Sequence, residues 1–177
     1  MAICVLNKDI LRTDSCGYSL PEIVDIYLAN YADVSASTIS TDEDGCEEIT
    51  GITMVTGKTF FHIEPRKNST SFSDELVVQD NGTKYRTHTL TFGISGTYDE
   101  CLHGVLDALS LGRYFAVVKT AEGNYLALGR LTGLEAETAT LAGGGSDTNN
   151  GIEVTLSANV TESALPLSAA AVAVVVG

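Results

Sequence analysis

Residues 151–158 read GIEVTLSA, and Ile152, Val154, Leu156 and Ala158 alternate with Glu153, Thr155 and Ser157. A period of two places the apolar set on one face of a strand and the polar set on the other. This is the pattern of a half-buried β-strand, and the rest of the chain is read outward from it. Glu22–Ala29, Ile49–Val55, Thr59–Glu64 and Ser71–Val78 are short runs rich in Val, Ile, Phe and Thr, separated by Gly, Asn and Asp. In Thr59–Glu64, Phe61 and Ile63 share one face while Phe60, His62 and Glu64 share the other. Asp80-Asn81-Gly82 supplies a turn after Ser71–Val78. Two further strands, Tyr114–Lys119 and Tyr125–Arg130, flank a Glu122-Gly123-Asn124 turn.

Lys84–Ser95 is long for a strand. Leu90, Phe92 and Ile94 share a face with Arg86 and His88, so its first half is expected to project beyond the core and to need cover. Arg86, His88 and Leu90 are accordingly candidates for an inter-subunit strand.

One helix is expected over Thr97–Leu111. Thr97 and Glu100 form a capping box, and Tyr98, Cys101, Leu102, Val105, Leu106 and Leu109 recur at helical spacing. Gly112 stops it. Two stretches read as irregular: Asn30–Cys46, and the AGGGSDTNNG loop at Ala142–Gly151. The tail Ser163–Gly177 is small and apolar without strand or helix periodicity, and is expected to cover itself on a neighbouring subunit. The fold class is therefore mainly β, a sandwich or barrel of two packed antiparallel sheets with one flanking helix near 97–111, extended loops and a C-terminal arm. One domain is expected across 1–177, with an N-terminal extension to about residue 48 and the arm from about residue 160.

Charge is partitioned along the chain. Thr13–Gly57 holds nine carboxylates and no base, and Leu131–Gly177 holds five and again no base. Between them, Lys58–Arg130 carries eight of each sign, and the net charge of −13 comes from the flanks. A nucleic-acid binder places Lys and Arg on phosphates. Here the bases are matched by acids, which disfavours binding and suits a surface that lets a polyanion pass. Asp42, Glu43, Asp44, Glu47 and Glu48 form a candidate acidic loop. It lacks the D-x-[DN]-x-[DN]-G register and the later bidentate Glu of a calcium site, so it reads as solvated.

No catalytic, metal or cofactor constellation stands out. Cys4, Cys16, Cys46 and Cys101 have no C-x-x-C spacing and read as reduced, with Cys101 on the apolar side of the helix. His62, His88 and His103 fall on separate elements, and Cys101 and His103 point about 200° apart on a helix. There is no G-x-S-x-G and no H-E-x-x-H. A non-enzymatic role without metal or cofactor is expected. No apolar run approaches the ~20 residues that span a bilayer.

The order of elements resembles bacteriophage tail tube proteins and the related tubes of type VI secretion and contractile injection machines. In particular it is similar to tail structural proteins of phages infecting Bacteroidetes. The likeness lies in YRTHTLTFGI at Tyr85–Ile94, GRYFAVVK at Gly112–Lys119, GNYLALGRLTGL at Gly123–Leu134 and NNGIEVTLS at Asn149–Ser157. The resemblance implies a virion structural protein, made in the bacterial host cytoplasm, that forms homo-oligomeric rings. It also implies neighbouring tail or connector proteins as partners, and DNA passing through a lumen without specific binding. A β-sandwich carbohydrate-binding or adhesion module is the alternative. Trp is absent and the seven Tyr are dispersed, which offers such a module few stacking platforms.

Overall fold

A computed structural model describes residues 22–95, 100–143 and 150–177. Eleven strands and two helices follow in order: β1 (Ile23–Asn30), β2 (Val34–Thr41), β3 (Glu47–Met54), β4 (Phe61–Ile63), β5 (Ser71–Val78), β6 (Lys84–Ile94), α1 (Glu100–Leu111), β7 (Arg113–Thr120), β8 (Tyr125–Leu128), β9 (Leu134–Ala142), β10 (Gly151–Val160), β11 (Leu165–Pro166) and α2 (Ala169–Val176). A 3₁₀ turn at Tyr31–Asp33 links β1 to β2. The fold is mainly β, with antiparallel pairing in both a nine-stranded sheet and a two-stranded one.

In the large sheet, pairing runs β4–β1–β7–β9–β10–β6–β5. One edge of β7 pairs with β1, and the other pairs with β9 at Arg113 and Tyr114 and with β8 from Ala116 to Lys119. β8 and β9 thus follow β7 in succession through a corner at residues 129–133. Gly129 and Gly133 turn that corner at φ 69° and 74°. A Cβ on Gly129 would lie 2.7 Å from Leu134 Cγ, so the corner needs glycine on both conformational and packing grounds.

The sheet bends until its halves face each other. Ile26 and Leu28 of β1, Ala116 and Val118 of β7, and Leu128 of β8 meet Leu90 and Phe92 of β6 and Val154 and Leu156 of β10 in one core. Leu109, Leu106 and Leu102 of α1 close it. A second core lies on the opposite face of β1 and β7, where Tyr27, Ala29, Phe115 and Val117 pack on Ile49 and Ile52 of β3 and on Ala171 and Val175 of α2. The molecule therefore has three layers. The β5–β6–β10–β9 half is on one side, the β4–β1–β7–β8 half is in the middle, and the β2–β3 hairpin with α2 is on the far side.

Several expectations change. Asn30–Cys46 is largely ordered, because β2 pairs with β3 and sets Val34 and Ile39 against the second core. Its Ser and Thr positions other than Ser37 are exposed, which gives it the composition of a loop. The C-terminal arm folds back on its own chain: Ser168 caps α2, and Ala171 and Val175, one helical turn apart, are buried. In AAAVAVVV every position is apolar, so no period was visible. β4 pairs with β1, and β5 pairs with β6. β9 is not expected from the sequence, because the alternation in LEAETATLA changes phase between Glu137 and Thr138, where its pairing with β10 shifts register. Cys101 is exposed, not buried. Thr97 and Tyr98, Cys4 and Cys16, and most of the Ala142–Gly151 loop lie outside the described residues, as does the first part of the N-terminal extension.

Candidate functional site

The acidic loop is the tip of the β2–β3 hairpin. Asp42 Oδ1 accepts the Cys46 N–H at 2.7 Å, Gly45 turns the chain at φ 79°, and all five carboxylate residues, Asp42, Glu43, Asp44, Glu47 and Glu48, are exposed. Among the described residues no group of acids, His and Cys is arranged to hold a metal ion.

Arg86, His88 and Leu90 sit elsewhere than expected. β6 runs between β5 and β10, Leu90 is fully buried, and His88 is 1% exposed. His88 and Leu90 therefore offer no surface to a neighbour, while the Arg86 side chain keeps 34% exposure. What covers them is the chain itself. β5 supplies Asp74, whose Oδ1 accepts from Arg86 Nε at 2.6 Å and whose Oδ2 accepts from the Ala164 N–H at 2.9 Å. Only the end of the strand overhangs: β10 stops opposite Arg86, so Lys84 and Tyr85 pair with Val78 and Val77 alone.

His88 is the buried polar residue of the first core. Its Nδ1 accepts the Gly129 N–H at 3.2 Å, so the proton of the neutral ring resides on Nε2. Nε2 lies 3.5 Å from Asp74 Oδ1 and lacks a hydrogen-bond partner. Burial pushes the His88 pKa down, against the pull of the Asp74 and Glu162 carboxylates. Burial alone would raise the Asp74 carboxyl, but the Arg86 and Ala164 hydrogen bonds outweigh it and hold it below the ordinary value. Beside this group, Arg130 makes a forked pair with Glu162 and reaches Ser37 Oγ on β2 at 3.1 Å. Sequence reading missed Asp74, Arg130 and Glu162, which come from three separate parts of the chain. The one signal was a histidine sharing a face with Leu90 and Phe92.

A second polar group lies on the middle layer. The Asp25 carboxylate meets His62 Nε2 at 2.8 Å and Lys119 Nζ at 3.2 Å, while Tyr27 stacks on His62 with ring centroids 4.9 Å apart. Burial would raise the Asp25 pKa, but the His62 and Lys119 hydrogen bonds prevail and lower it. A carboxylate orienting an imidazole is half of a general-base arrangement; among the described residues its neighbours here are the Lys119 amine and the face of the Tyr27 ring. Tyr125 is the aromatic residue on the rim of an adjoining cavity of about 860 Å³ between the β7–β8 turn and α2.

The surface features are edges. Among the described residues β5 has an open outer edge, with Leu76 and Val78 58% and 56% exposed. At the other end of the pairing path, three-residue β4 is open beyond its pairing with β1, and Phe61 is 58% exposed. Phe61 borders an apolar groove of about 460 Å³ between β4 and α1, floored by Leu28, Ile63 and Leu109.

The charges are arranged unevenly. Of the eight bases in 58–130, six form ion pairs: Lys58–Asp33, Arg66–Glu153, Arg86–Asp74, Arg113–Glu135, Lys119–Asp25 and Arg130–Glu162. Among the described residues Lys67 and Lys84 form none, and neither do Asp42, Glu43, Glu47 and Glu48 at the hairpin tip. No described helix is long and apolar enough to cross a membrane. No family model, no curated protein and no solved structure matches this chain.

Proposed function

We propose that this chain is a structural subunit that assembles through unlike sheet edges into a homo-oligomeric ring, as a phage tail tube or tail ring protein does. The observation that carries this reading is that, among the described residues, β4 and β5 are open edges at opposite ends of one long sheet, each with exposed apolar side chains. Open edges are templates for pairing, and soluble proteins rarely leave them bare. Two unlike edges make a head-to-tail contact, which closes into a ring when the rotation per subunit divides a circle. The neutralised bases and the net charge of −13 suit a lumen that passes DNA without holding it. Rings of this kind would stack or dock with neighbouring tail or connector proteins, and the site of action would be the virion.

The test is size-exclusion chromatography with light scattering, followed by negative-stain microscopy of the full chain. Closed rings of one symmetry are expected, and Leu76→Lys with Val78→Lys should convert them to monomers with an unchanged circular dichroism spectrum. A chain that stays monomeric at high concentration refutes the ring. Glycan binding by that monomer would support the carbohydrate-binding module instead.

A further inference from the structure

The loop at residues 65–70, between β4 and β5, carries a basic pocket of about 380 Å³. Arg66 and Lys67 line it with Asn68, Ser69, Thr91 and Glu153. Arg66 lies against the outward face of β6 because Gly93 has no side chain: a Cβ there would fall 2.9 Å from Arg66 Nη2. That Nη2 donates to Glu153 Oε1 at 2.8 Å, while Nη1 is shielded from solvent and has no hydrogen-bond partner. Asn68 holds a left-handed turn at φ 59°, and Ser69 Oγ fixes the loop by donating to the Arg66 carbonyl and accepting from the Gly93 N–H at 3.2 Å. The result is an ordered loop with an under-satisfied guanidinium and an exposed, unpaired ammonium, in a chain with a large excess of acid.

The acidic counterpart is the β2–β3 tip, where Asp42, Glu43, Asp44, Glu47 and Glu48 fall within seven residues. Pocket and tip belong to the two outer layers, on opposite sides of the β1–β7 layer. They cannot satisfy each other within one chain, and charge complementarity between different faces is the requirement for a head-to-tail contact. We infer that the acidic β2–β3 tip of one copy docks into the Arg66–Lys67 pocket of the next. A tip carboxylate entering the pocket would pair with the exposed Lys67 ammonium, beside the Arg66–Glu153 pair. The partner is a second copy of this chain, and the inference rests on the ring reading while adding a contact distinct from the β4 and β5 edges.

Charge swapping tests it. Lys67→Glu and the tip variant Glu43→Lys with Glu47→Lys and Glu48→Lys, which turns the five tip acids into two acids and three bases, should each weaken self-association about tenfold, the scale for reversing a close interfacial charge. Combining the reversals in one chain should restore assembly. Mixing the two singly reversed proteins should restore assembly in alternation, because the unchanged tip then meets the unchanged pocket and the reversed tip meets the reversed pocket. If Lys67→Glu loses its folded spectrum, Lys67→Gln serves in its place, with a smaller loss expected. Rings unaffected by any of these changes would overturn the docking contact and leave the ring standing. A wild-type chain that never self-associates would overturn both.

Discussion

β7 and β10 belong to one sheet and are similar in length, eight and ten residues, yet they are buried in different ways. In β7 every residue from Tyr114 to Val118 is buried, because the first core lies on one face and the second on the other. In β10, Ile152, Val154 and Leu156 face the first core while Glu153 is exposed, since among the described residues no further layer packs on that outer face. An unbroken apolar run thus reports a strand with layers on both sides, and alternation reports one at the surface. The cores also differ in chemistry. The first contains His88 and borders the Asp74–Arg86 and Arg130–Glu162 pairs, whereas the buried residues of the second are all hydrophobic.

The largest expected effect comes from the middle layer. Phe115→Ala opens a cavity in the second core, against Phe60 and beneath β3, and should cost about 3–5 kcal/mol in urea denaturation. A loss under about 1 kcal/mol would mean that the hairpin layer is not closely packed on β7, and the contrast with β10 would dissolve.

A smaller effect should separate the cores by pH. The His88 imidazole has a folded pKa below its unfolded value, so its folded state resists protonation. The stability it secures is present above the ordinary imidazole pKa of about 6.5 and is lost as pH falls from there toward the lowered value. Protonation at Nδ1 would also set a proton against the Gly129 N–H and loosen the β8–β9 corner. Asp74 and Asp25 act in a separate window, being lowered, so their contribution disappears only as pH drops below the ordinary carboxylate range. Denaturation midpoints between pH 7 and 5 should decline for the wild type and stay flatter for His88→Gln. Equal slopes would remove the distinction between a polar and an apolar core.

The smallest effect belongs to the outer face of β10. Thr155 Oγ1 lies 3.1 Å from Thr91 Oγ1 as a cross-strand pair, and Thr155→Ala should change stability by less than about 1 kcal/mol. A loss on the scale of Phe115→Ala would show that this face is covered, as it would be in an assembly, and dilution should then reduce the loss.

Legibility follows the same division. The strands Glu22–Ala29, Lys84–Ser95, Tyr114–Lys119 and residues 151–158 were readable because β-branched and aromatic runs or strict alternation leave few other options. β2 hid behind Ser and Thr, β9 behind Ala and Glu, and α2 behind uniform Ala and Val. In each, the element is set by what it packs on or pairs with, not by its own pattern. Of the site residues, the acidic tip was legible because five acids in seven positions have to be solvated. The burial of His88 and the pairing of Arg86 were not legible, since their partners Asp74, Gly129 and Glu162 come from distant parts of the chain.

By itself the sequence determined that the chain is mainly β, that most of the charge excess sits outside the 58–130 core segment, and that a helix precedes β7. These are local properties, fixed by side-chain periodicity and by charge order along the chain. Only the tertiary structure decided that the sheet folds on itself into two facing halves, that the C-terminal arm is used in cis, and which charges remain unpaired. Those outcomes depend on residues tens of positions apart coming within a few ångströms of one another, as Arg130 and Ser37 do at 3.1 Å, and no local pattern records such a meeting.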